Sequence, residues 1–410
     1  MKKRTYRGTR YACYLGYFVQ AVVNNLAPLL FIVFQTEFHI TYSMISALVL
    51  VNFVTQLIVD VVSVKLVDRI GHRVSLCTAH ILCGVGFLLM GILPRALGSP
   101  FAGLIIATVT YAIGGGLIEV LISPTVESLP GDEKAAAMSL LHSFYCWGQV
   151  AVVLISTLAL RAIGTQHWTF LPLVWSVVPF LNVLNFLSVP LVPPLPEEKG
   201  MPVRSLFSSK LFWIALALMA CAGASELAMS QWASLFAEKS LGVSKVMGDL
   251  LGPCLFALLM GLGRALYGLY GSRIPVQSAL MACAALCVLS YLLTALAPIP
   301  LLSLVGCGLC GLSVSLMWPG VFSLSAANFR RGGTAMFALL AVFGDLGCAF
   351  GPWLAGVISD VAEKTSFVEM DSLKLGVLFA TIFPLVMLIF LAVLRRSRSQ
   401  GLRKSPAEKE

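Results

Sequence analysis

The stretch that decides the fold is the short charged turn Asp68-Arg69-Ile70-Gly71-His72-Arg73, which separates two long apolar runs at 43–66 and 74–94. Each run is long enough to cross a bilayer, because a helix needs about 20 apolar residues to span the hydrocarbon core. Backbone polar groups in lipid must be satisfied within the segment, so both runs are predicted to be helices. The turn therefore predicts a hairpin of two membrane spans with basic charge at one membrane surface.

The same pattern extends outward over the whole chain. Of the 410 residues 58% are hydrophobic and only 11% are charged, which is too little charge to cover a soluble protein of this size. The alternating ten-residue segments of a membrane β-barrel are absent from the sequence. We therefore predict an all-α integral membrane protein with twelve spans, at 11–34, 43–66, 74–94, 100–126, 137–161, 167–192, 211–236, 246–270, 276–296, 299–327, 333–358 and 372–394.

The net charge of +9 is distributed unevenly between the two ends of these spans. Most Lys and Arg residues lie at the two termini and in the connections that lead from an even-numbered span to the next odd-numbered span. Because basic residues favour the cytoplasmic side, this distribution predicts that both termini are cytoplasmic. The basic residues form short blocks between apolar runs, and no nucleic-acid motif accompanies them, so nucleic acid is not an expected partner. The expected location is the cell (plasma or inner) membrane, and the expected state is a monomer in lipid.

One segment resembles cofactor motifs by its letters alone. Residues 306–311 read Gly-Cys-Gly-Leu-Cys-Gly, which contains both C-x-x-C and G-x-G-x-x-G. The dinucleotide fingerprint needs a preceding strand and a βαβ unit, whereas this run lies within an apolar helix. Small residues that let helices pack closely explain it better, and no cofactor or metal is predicted.

A Pro-rich, charged stretch at 193–202 divides the chain near its middle. Such a composition predicts a semi-rigid linker. The predicted organisation is an N-terminal six-helix bundle, a cytoplasmic linker, a C-terminal six-helix bundle and a basic tail, at 1–195, 196–210, 211–394 and 395–410.

The two halves resemble each other in three places. The turn after span two matches Ser272-Arg273-Ile274-Pro275, Ser123-Pro124 in span four matches Trp318-Pro319 in span ten, and Phe144 to Gly148 matches Phe343 to Gly347. All three offsets are close to half the chain length. Parallel six-helix repeats with a central cavity between them are therefore predicted.

The charged turn at residues 68–73 resembles the signature of the major facilitator superfamily, which reads roughly Gly-x-Leu-Ala-Asp-Arg-x-Gly-Arg-Arg. Asp68, Arg69, Gly71 and Arg73 match it, whereas Val64 and His72 depart from it. The resemblance implies two pseudo-symmetric six-helix bundles. It also implies a charge cluster that pairs across the halves and holds one conformer of an alternating-access cycle.

Span four is similar to the fucose–galactose–glucose:proton symporter group of that superfamily. The shared features are Gly114-Gly115-Gly116, then Glu119 and Pro124, followed by Phe144 and Gly148 in span five. The resemblance implies that Glu119 contacts sugar. In that group an Asn-x-Asn-Asp segment of span one carries the proton on its Asp; with Asn25 as the first Asn, the last two positions here are Ala27 and Pro28.

Six ionisable residues lie within predicted spans: Asp60, Glu119, His142, Glu226, Arg264 and Asp345. A charge at mid-bilayer costs roughly 2.5–3.5 kcal/mol on insertion scales, so each is a functional hypothesis. Glu119, Glu226 and His142 are the proton-coupling candidates, with Glu226 replacing the missing span-one Asp. The alternative for Glu119 and Glu226 is structural hydrogen bonding between helices, and for His142 a packed core histidine.

A charge network is predicted to control opening and closing. Arg264 occupies the position in the second half that Asp60 occupies in the first, which predicts an ion pair between halves or an anion-binding Arg; the alternative is a permanent pair with Asp345. The predicted gating residues are Asp60, Asp68, Arg69, Arg73, Arg264 and Asp345. The predicted solute-binding residues are Asn24, Asn25, Glu119, Phe144, Trp147, Gln149, Glu226, Gln231, Trp232 and Trp318.

The sequence thus predicts a secondary active transporter of a small polar solute, sugar-like and coupled to protons, that works by alternating access. A nucleotide-binding loop is absent from the sequence, so a gradient rather than ATP would drive it. The alternatives are an efflux carrier of drugs or metabolites with the same fold and a non-transporting membrane sensor. Motifs of a membrane enzyme are also absent, and no catalytic residue is predicted.

Overall fold

The computed structural model describes residues 6–129, 134–192, 203–270, 274–329, 333–365 and 370–403. These ranges are helical and contain no β-strand. Eleven helices are long and apolar enough to cross a membrane, and the bent pair Arg7–Leu29 and Phe31–Phe38 adds a twelfth span. The predicted all-α fold with twelve spans is confirmed.

Each half contributes six spans. Spans one to six are Arg7–Leu29 with Phe31–Phe38, Tyr42–Ile70, His72–Ala96, Pro100–Glu127, Lys134–Ile163 and Phe170–Ser188. Spans seven to twelve are Lys210–Lys239, Lys245–Asp249 with Leu250–Cys254 and Leu255–Tyr270, Val276–Leu296, Pro300–Val314 with Met317–Asn328, Gly333–Thr365, and Ser372–Ala380 with Ile382–Arg403. The predicted boundaries agree within a few residues, except that span five begins before 137 and spans eleven and twelve extend further.

Local chemistry explains where several spans begin, end or bend. Gly71 separates spans two and three with a φ of 87°, a backbone conformation that favours glycine. The side chain of Ser99 caps span four by accepting from the amide of Ala102, and Pro100 occupies the first turn. Span one bends by 42° directly after Pro28, which cannot donate a helical hydrogen bond.

The spans alternate in direction because short connections join them. Odd-numbered spans begin, and even-numbered spans end, at one face of the bundle, which we call the linker face because span six ends and span seven begins there. The opposite face is the far face. That the linker face is cytoplasmic stays a prediction, as do the domain boundaries; residues 193–202 of the linker lie outside the described residues.

Small residues set the distances within each half. A Cβ on Gly86 of span three would meet the backbone of Tyr111 on span four, and one on Gly347 of span eleven would meet the backbone of Ala220 on span seven. Gly311, in the C-x-x-C segment, lies equally close to the backbone of Phe256 on span eight. These helices therefore pack backbone against backbone, as glycine allows in membranes.

Three pairs of spans make the largest contacts between the halves in the described part of the chain. Span two packs antiparallel along span eleven, span five packs against span eight, and span one touches span seven. We call the first contact the two–eleven seam and the second the five–eight seam. The functional groups lie along and between these seams.

Candidate functional site

The three consecutive glycines of span four bring the surrounding helices close to Glu119. A Cβ on Gly114 would meet span three, one on Gly115 would meet Val23 and Gln20 of span one, and one on Gly116 would meet Gln56 of span two. One turn further on, Glu119 Oε2 accepts a hydrogen bond of 3.3 Å from Gln20 Nε2. The glycine run thus places a carboxylate against polar groups of spans one and two.

Amide side chains continue from Glu119 toward the far face. Gln20 Nε2 also donates to Gln56 Oε1 at 2.8 Å, and Gln56 Nε2 donates to Asn24 Oδ1 at 3.0 Å. Asn52 Nδ2 donates to the same Asn24 oxygen at 3.2 Å. We call Gln20, Asn24, Asn52, Gln56 and Glu119 the amide network.

Two oxygens of the amide network lack a donor. Gln20 Oε1 and Asn52 Oδ1 are both buried, and no described residue donates a hydrogen bond to either. An unsatisfied buried acceptor costs about 1–3 kcal/mol. The network therefore has an unmet demand for hydrogen-bond donors, which a bound hydroxyl group would supply.

The other half and span five complete the surroundings. Gln231 Nε2 of span seven donates to the main-chain oxygen of Asn24 at 2.9 Å, and Asn24 Nδ2 lies 3.4 Å from the Tyr145 hydroxyl. Beside Asn24 and Gln231 is a small crevice of about 10 Å³, lined by Val23, Asn24, Ala27, Pro28, Phe31, Leu48, Val49, Asn52, Tyr111 and Gln231. All of these residues except Gln231 belong to the first half, and Gln231 of span seven borders the crevice from the second.

Aromatic packing closes this crevice toward the far face. Trp232 is 2% exposed, and its indole donates to the carbonyl of Pro352 at 3.0 Å. The rings of Phe31 and Tyr42, from the first half, each lie 6.1 Å from the Trp232 ring. Trp232 thus seals the halves together rather than presenting a free ring face.

Arg264 pairs within its own half. Its guanidinium lies 3.9 Å from the carboxylate of Glu226 and donates to Cys146 Sγ of span five at 3.2 Å. The alternative of a permanent pair with Asp345 is wrong, because in the described part of the chain Glu226 is the carboxylate within 4.0 Å of Arg264. The pair between halves, which is predicted for one conformer of the cycle, is not formed with Asp60 in this structure and stays a prediction. Equivalent repeat positions here do not face each other.

Asp60 instead meets Asp345 across the two–eleven seam. The two side chains are within hydrogen-bonding reach, and Glu119 lies within electrostatic range of both. Asp345 is 7% exposed, and Asp60 Oδ1 is buried without a donor among the described residues. Two acidic groups therefore face each other where opposite charges are predicted.

Other predicted residues lie at the edge of this site or away from it. Asn25 donates to the carbonyl of Ala21 on its own helix, and Gln149 is buried on the inward face of span five. Phe144 stacks on Tyr14 with ring centroids 4.5 Å apart. His142 is exposed beside the ring of Tyr17, toward the linker face.

Two tryptophans are not brought to the site. Trp147 is 53% exposed and lies on the same helical face as the exposed Leu154 and Leu158, which is the outward face of span five. Trp318 packs against Gly344 and the ring of Phe322. The prediction that Trp147 stacks on a solute conflicts with this outward position.

Of the signature turn, Arg73 has described contacts. Its guanidinium donates to the carbonyls of Phe186, Leu187 and Val189 at the end of span six, the last at 2.8 Å. It therefore anchors span six within the first half and makes no described contact with the second. The side chains of Asp68 and Arg69 lie outside the described residues, so their gating role stays a prediction.

Gln20, Asn52 and Gln56 were not predicted to belong to the site. Spacing could have found them, because Gln20 and Asn24 are four residues apart on span one, and Asn52, Gln56 and Asp60 are spaced by four on span two. Residues four apart share a helical face. A polar stripe of this kind in an apolar span predicts an interior surface.

Twelve spans in two packed halves, with buried polar groups between them, define a membrane transport protein by fold and site. The family model described as Major Facilitator Superfamily matches residues 13–352. The chain belongs to this superfamily.

Solved structures share the fold at low identity. A bacterial homolog of the human lysosomal transporter Spinster, in an inward-facing and occupied conformation, is 15% identical with a TM-score of 0.74, covering 95% of this chain and 96% of that one. A D-xylose-proton symporter is 16% identical with a TM-score of 0.73, covering 93% and 97%. The E. coli fucose:proton symporter is 17% identical with a TM-score of 0.65, covering 95% and 99%. No curated protein matches the chain.

Proposed function

We propose that this protein is a secondary active transporter of a small, sugar-like polar solute, coupled to protons and working by alternating access of its two halves. The observation that carries the proposal is the pair of buried acceptors without donors, Gln20 Oε1 and Asn52 Oδ1. The membrane would be the cell membrane, the linker face would be cytoplasmic, and the unit would be a monomer.

The chemistry of the amide network matches a polyol. Amide side chains both donate and accept, and a carboxylate accepts, which is the set of partners that adjacent hydroxyl groups need. Gln20, Asn52 and Glu119 offer oxygens on one side, and Gln231 approaches from the other half. A site built to hydrogen-bond hydroxyl groups discriminates strongly against solutes that lack them.

The similar solved structures support the proposal of a sugar-like solute and of proton coupling. Two of the three proteins named above are described as sugar:proton symporters. Residues 114–119 and the Pro at 124 resemble the corresponding sugar-transporting group, and here Glu119 joins the amide network. The transport cycle would separate the halves alternately at the far and linker faces.

The test is counterflow in proteoliposomes with radiolabelled D-glucose, D-xylose and L-fucose. We expect saturable exchange of at least one sugar, with a loss of roughly tenfold or more in Asn52→Leu and in Glu119→Gln, because each leaves a solute hydroxyl without its partner. Glu363→Gln is the matched control, since Glu363 is an exposed carboxylate on span eleven.

Two results would reject the proposal. Exchange of cationic amphipathic compounds but of no sugar, unaffected by Asn52→Leu, would identify an efflux carrier. Saturable sugar binding, measured as a rise in unfolding temperature, without any exchange would identify a sensor that retains the fold.

A further inference from the structure

The carboxyl groups of Asp60 and Asp345 lie within hydrogen-bonding reach of each other although they belong to different halves. Asp60 is on span two, and Asp345 is on span eleven. Asp345 is 7% exposed, and Asp60 Oδ1 is fully buried with no hydrogen-bond donor among the described residues. The Asp60 carboxyl group, one oxygen of which is buried without a donor, thus lies within hydrogen-bonding reach of a buried acid across the two–eleven seam.

Within the described ranges, the surroundings of the pair supply another acid and no counter-charge. The titratable groups within electrostatic range of the pair are Glu119 from span four and, for Asp345, Cys348 from span eleven. Glu226 of span seven lies within electrostatic range of Cys348, and the Tyr17 and Tyr145 hydroxyls lie within range of Glu119. Among the described residues no Lys or Arg lies within 4.0 Å of either Asp, and Arg264 is engaged by Glu226. Glu119 itself accepts from Gln20.

This contact requires a proton. An ionised carboxylate is only an acceptor, so two of them cannot hydrogen-bond each other, whereas a carboxylic acid donates to a carboxylate. Neighbouring carboxyl groups accordingly share one proton, because both cannot ionise at such short range. One proton held between Asp60 and Asp345 turns a repulsive contact into an attractive one.

We propose that Asp60 and Asp345 together form the binding site of the coupling proton. This inference rests on the proposed transport function. The proton is held while the two–eleven seam is closed at this depth, and its release to water leaves two like charges that separate spans two and eleven. Solute release and proton release then occur through the same opening, which couples the two flows.

The geometry favours this pair over the other acids. Glu226 has Arg264 at 3.9 Å, so its ionised form is already compensated. Glu119 has a donor in Gln20 and makes no described hydrogen bond to an acid of the second half, although its charge lies within electrostatic range of Asp345. The Asp60–Asp345 contact alone, among the described carboxyl groups within the spans, joins two acids from different halves.

The test separates solute exchange from proton-driven accumulation in the same proteoliposomes. With equal pH on both sides, counterflow of the transported sugar reports the carrier cycle without net proton movement. With an imposed pH gradient, accumulation reports coupling. We expect Asp60→Asn and Asp345→Asn to retain counterflow but to accumulate no sugar above the external concentration, whereas Glu363→Gln retains both.

Other outcomes overturn the inference. Wild-type accumulation in either Asn variant would show that the pair does not carry the proton. Accumulation driven by a sodium gradient at constant pH, and lost in the variants, would assign the pair to Na⁺ instead. Loss of both counterflow and accumulation in a variant that unfolds at the wild-type temperature would place the residue in the carrier cycle itself rather than in coupling.

A second measurement tests for the shared proton on Asp60 and Asp345 without requiring sugar exchange. If no sugar is exchanged, the proposed transport function fails, but this test of the proton site still applies. Infrared spectroscopy of the purified protein at neutral pH detects the carbonyl stretch of a protonated carboxyl group. We expect this band in the wild type and in Glu363→Gln, and its loss in Asp60→Asn and Asp345→Asn. A wild type without the band, or variants that keep it in full, would contradict a shared proton.

Discussion

The two ends of the two–eleven seam are built from opposite chemistry. Toward the far face, Asp360 accepts from Ser43 of span two at 2.5 Å and from Lys364 at 2.8 Å. Toward the linker face, about 25 Å along the same helix at 1.5 Å per residue, Asp60 meets another acid, Asp345. The contact of Asp360 with Ser43 and Lys364 is favourable when the carboxylate is ionised, whereas the contact of Asp60 with Asp345 requires a proton.

The five–eight seam shows the same difference. At its far end Asp249 is fully buried and accepts from Thr157 of span five at 2.7 Å, from Ser234, and from Lys245, whose ammonium lies 3.2 Å away. At its linker end Arg264 donates to a cysteine sulfur, Cys146. Strong polar contacts between halves are therefore concentrated on the far side.

This difference indicates that the far side is held closed, whereas one contact on the linker side depends on protonation. The far face combines a satisfied buried carboxylate, an ammonium that also donates to the Leu29 carbonyl at 2.8 Å, and the Trp232 packing. The linker side has weaker cross-half contacts, and one of them depends on protonation. Three substitutions test this contrast.

The largest effect is expected from Asp249→Ala. The substitution removes the acceptor shared by Thr157, Ser234 and Lys245, and it leaves a partly buried ammonium without its closest carboxylate. Breaking a buried pair on one side costs about 3–5 kcal/mol. We expect a clear drop in the unfolding temperature in detergent, while Glu363→Ala, an exposed far-face carboxylate, has little effect. A drop no greater than that of the control would show that the far face is not held by this group.

A smaller effect is expected from Gly356→Val, a substitution at the most closely packed point of the far end of the two–eleven seam. Gly356 lies against Ser46 of span two and the Trp232 ring, with no room for a Cβ. Overpacking costs about 1–3 kcal/mol, and the halves can relieve it by separating. We expect Gly356→Val to widen the distance between spin labels on the far ends of spans two and eleven. Gly98→Val, in open space in the span three–four turn, is the control; equal distances in both variants would contradict the far-face closure.

The smallest effect, and of opposite sign, is expected from Asp60→Asn. An Asn amide donates to Asp345 without needing a proton, so a conditional hydrogen bond becomes permanent. A hydrogen bond to a charged group contributes about 1.5–3 kcal/mol before the loss of other contacts. We expect the unfolding temperature at pH 8 to equal or exceed that of the wild type, with the difference shrinking at pH 5, where the wild-type pair is protonated. Destabilisation at pH 8 would show that the Asp60 carboxylate is satisfied.

Much of the fold was predictable because lipid imposes simple rules. Each of the twelve spans is readable from its length and apolar content, and Gly71 in the signature turn correctly marks the break between spans two and three. The break in span one after Pro28 was not predicted, although its Pro is visible in the sequence. Pairing between helices was predicted poorly, because repeat symmetry relates positions without bringing them into contact.

The candidate site was predicted in part. Glu119 stood out because a buried charge is costly and three glycines precede it, and the structure joins it to Gln20. Asn24 and Gln231 also meet. Trp147 could not be placed, since an aromatic residue in an apolar helix satisfies an outward lipid-facing position as well as an inward one.

The amino-acid sequence by itself determined the class of the protein: twelve apolar helices, a two-fold repeat and a few ionisable groups that lipid would not tolerate on the outside. Only the tertiary structure decided the partners of those groups, so that Asp60 faces Asp345 and Arg264 faces Glu226. The physical reason is that hydrophobicity acts on each helix separately, whereas ion pairs and shared protons depend on distances of a few ångströms between helices far apart in the chain.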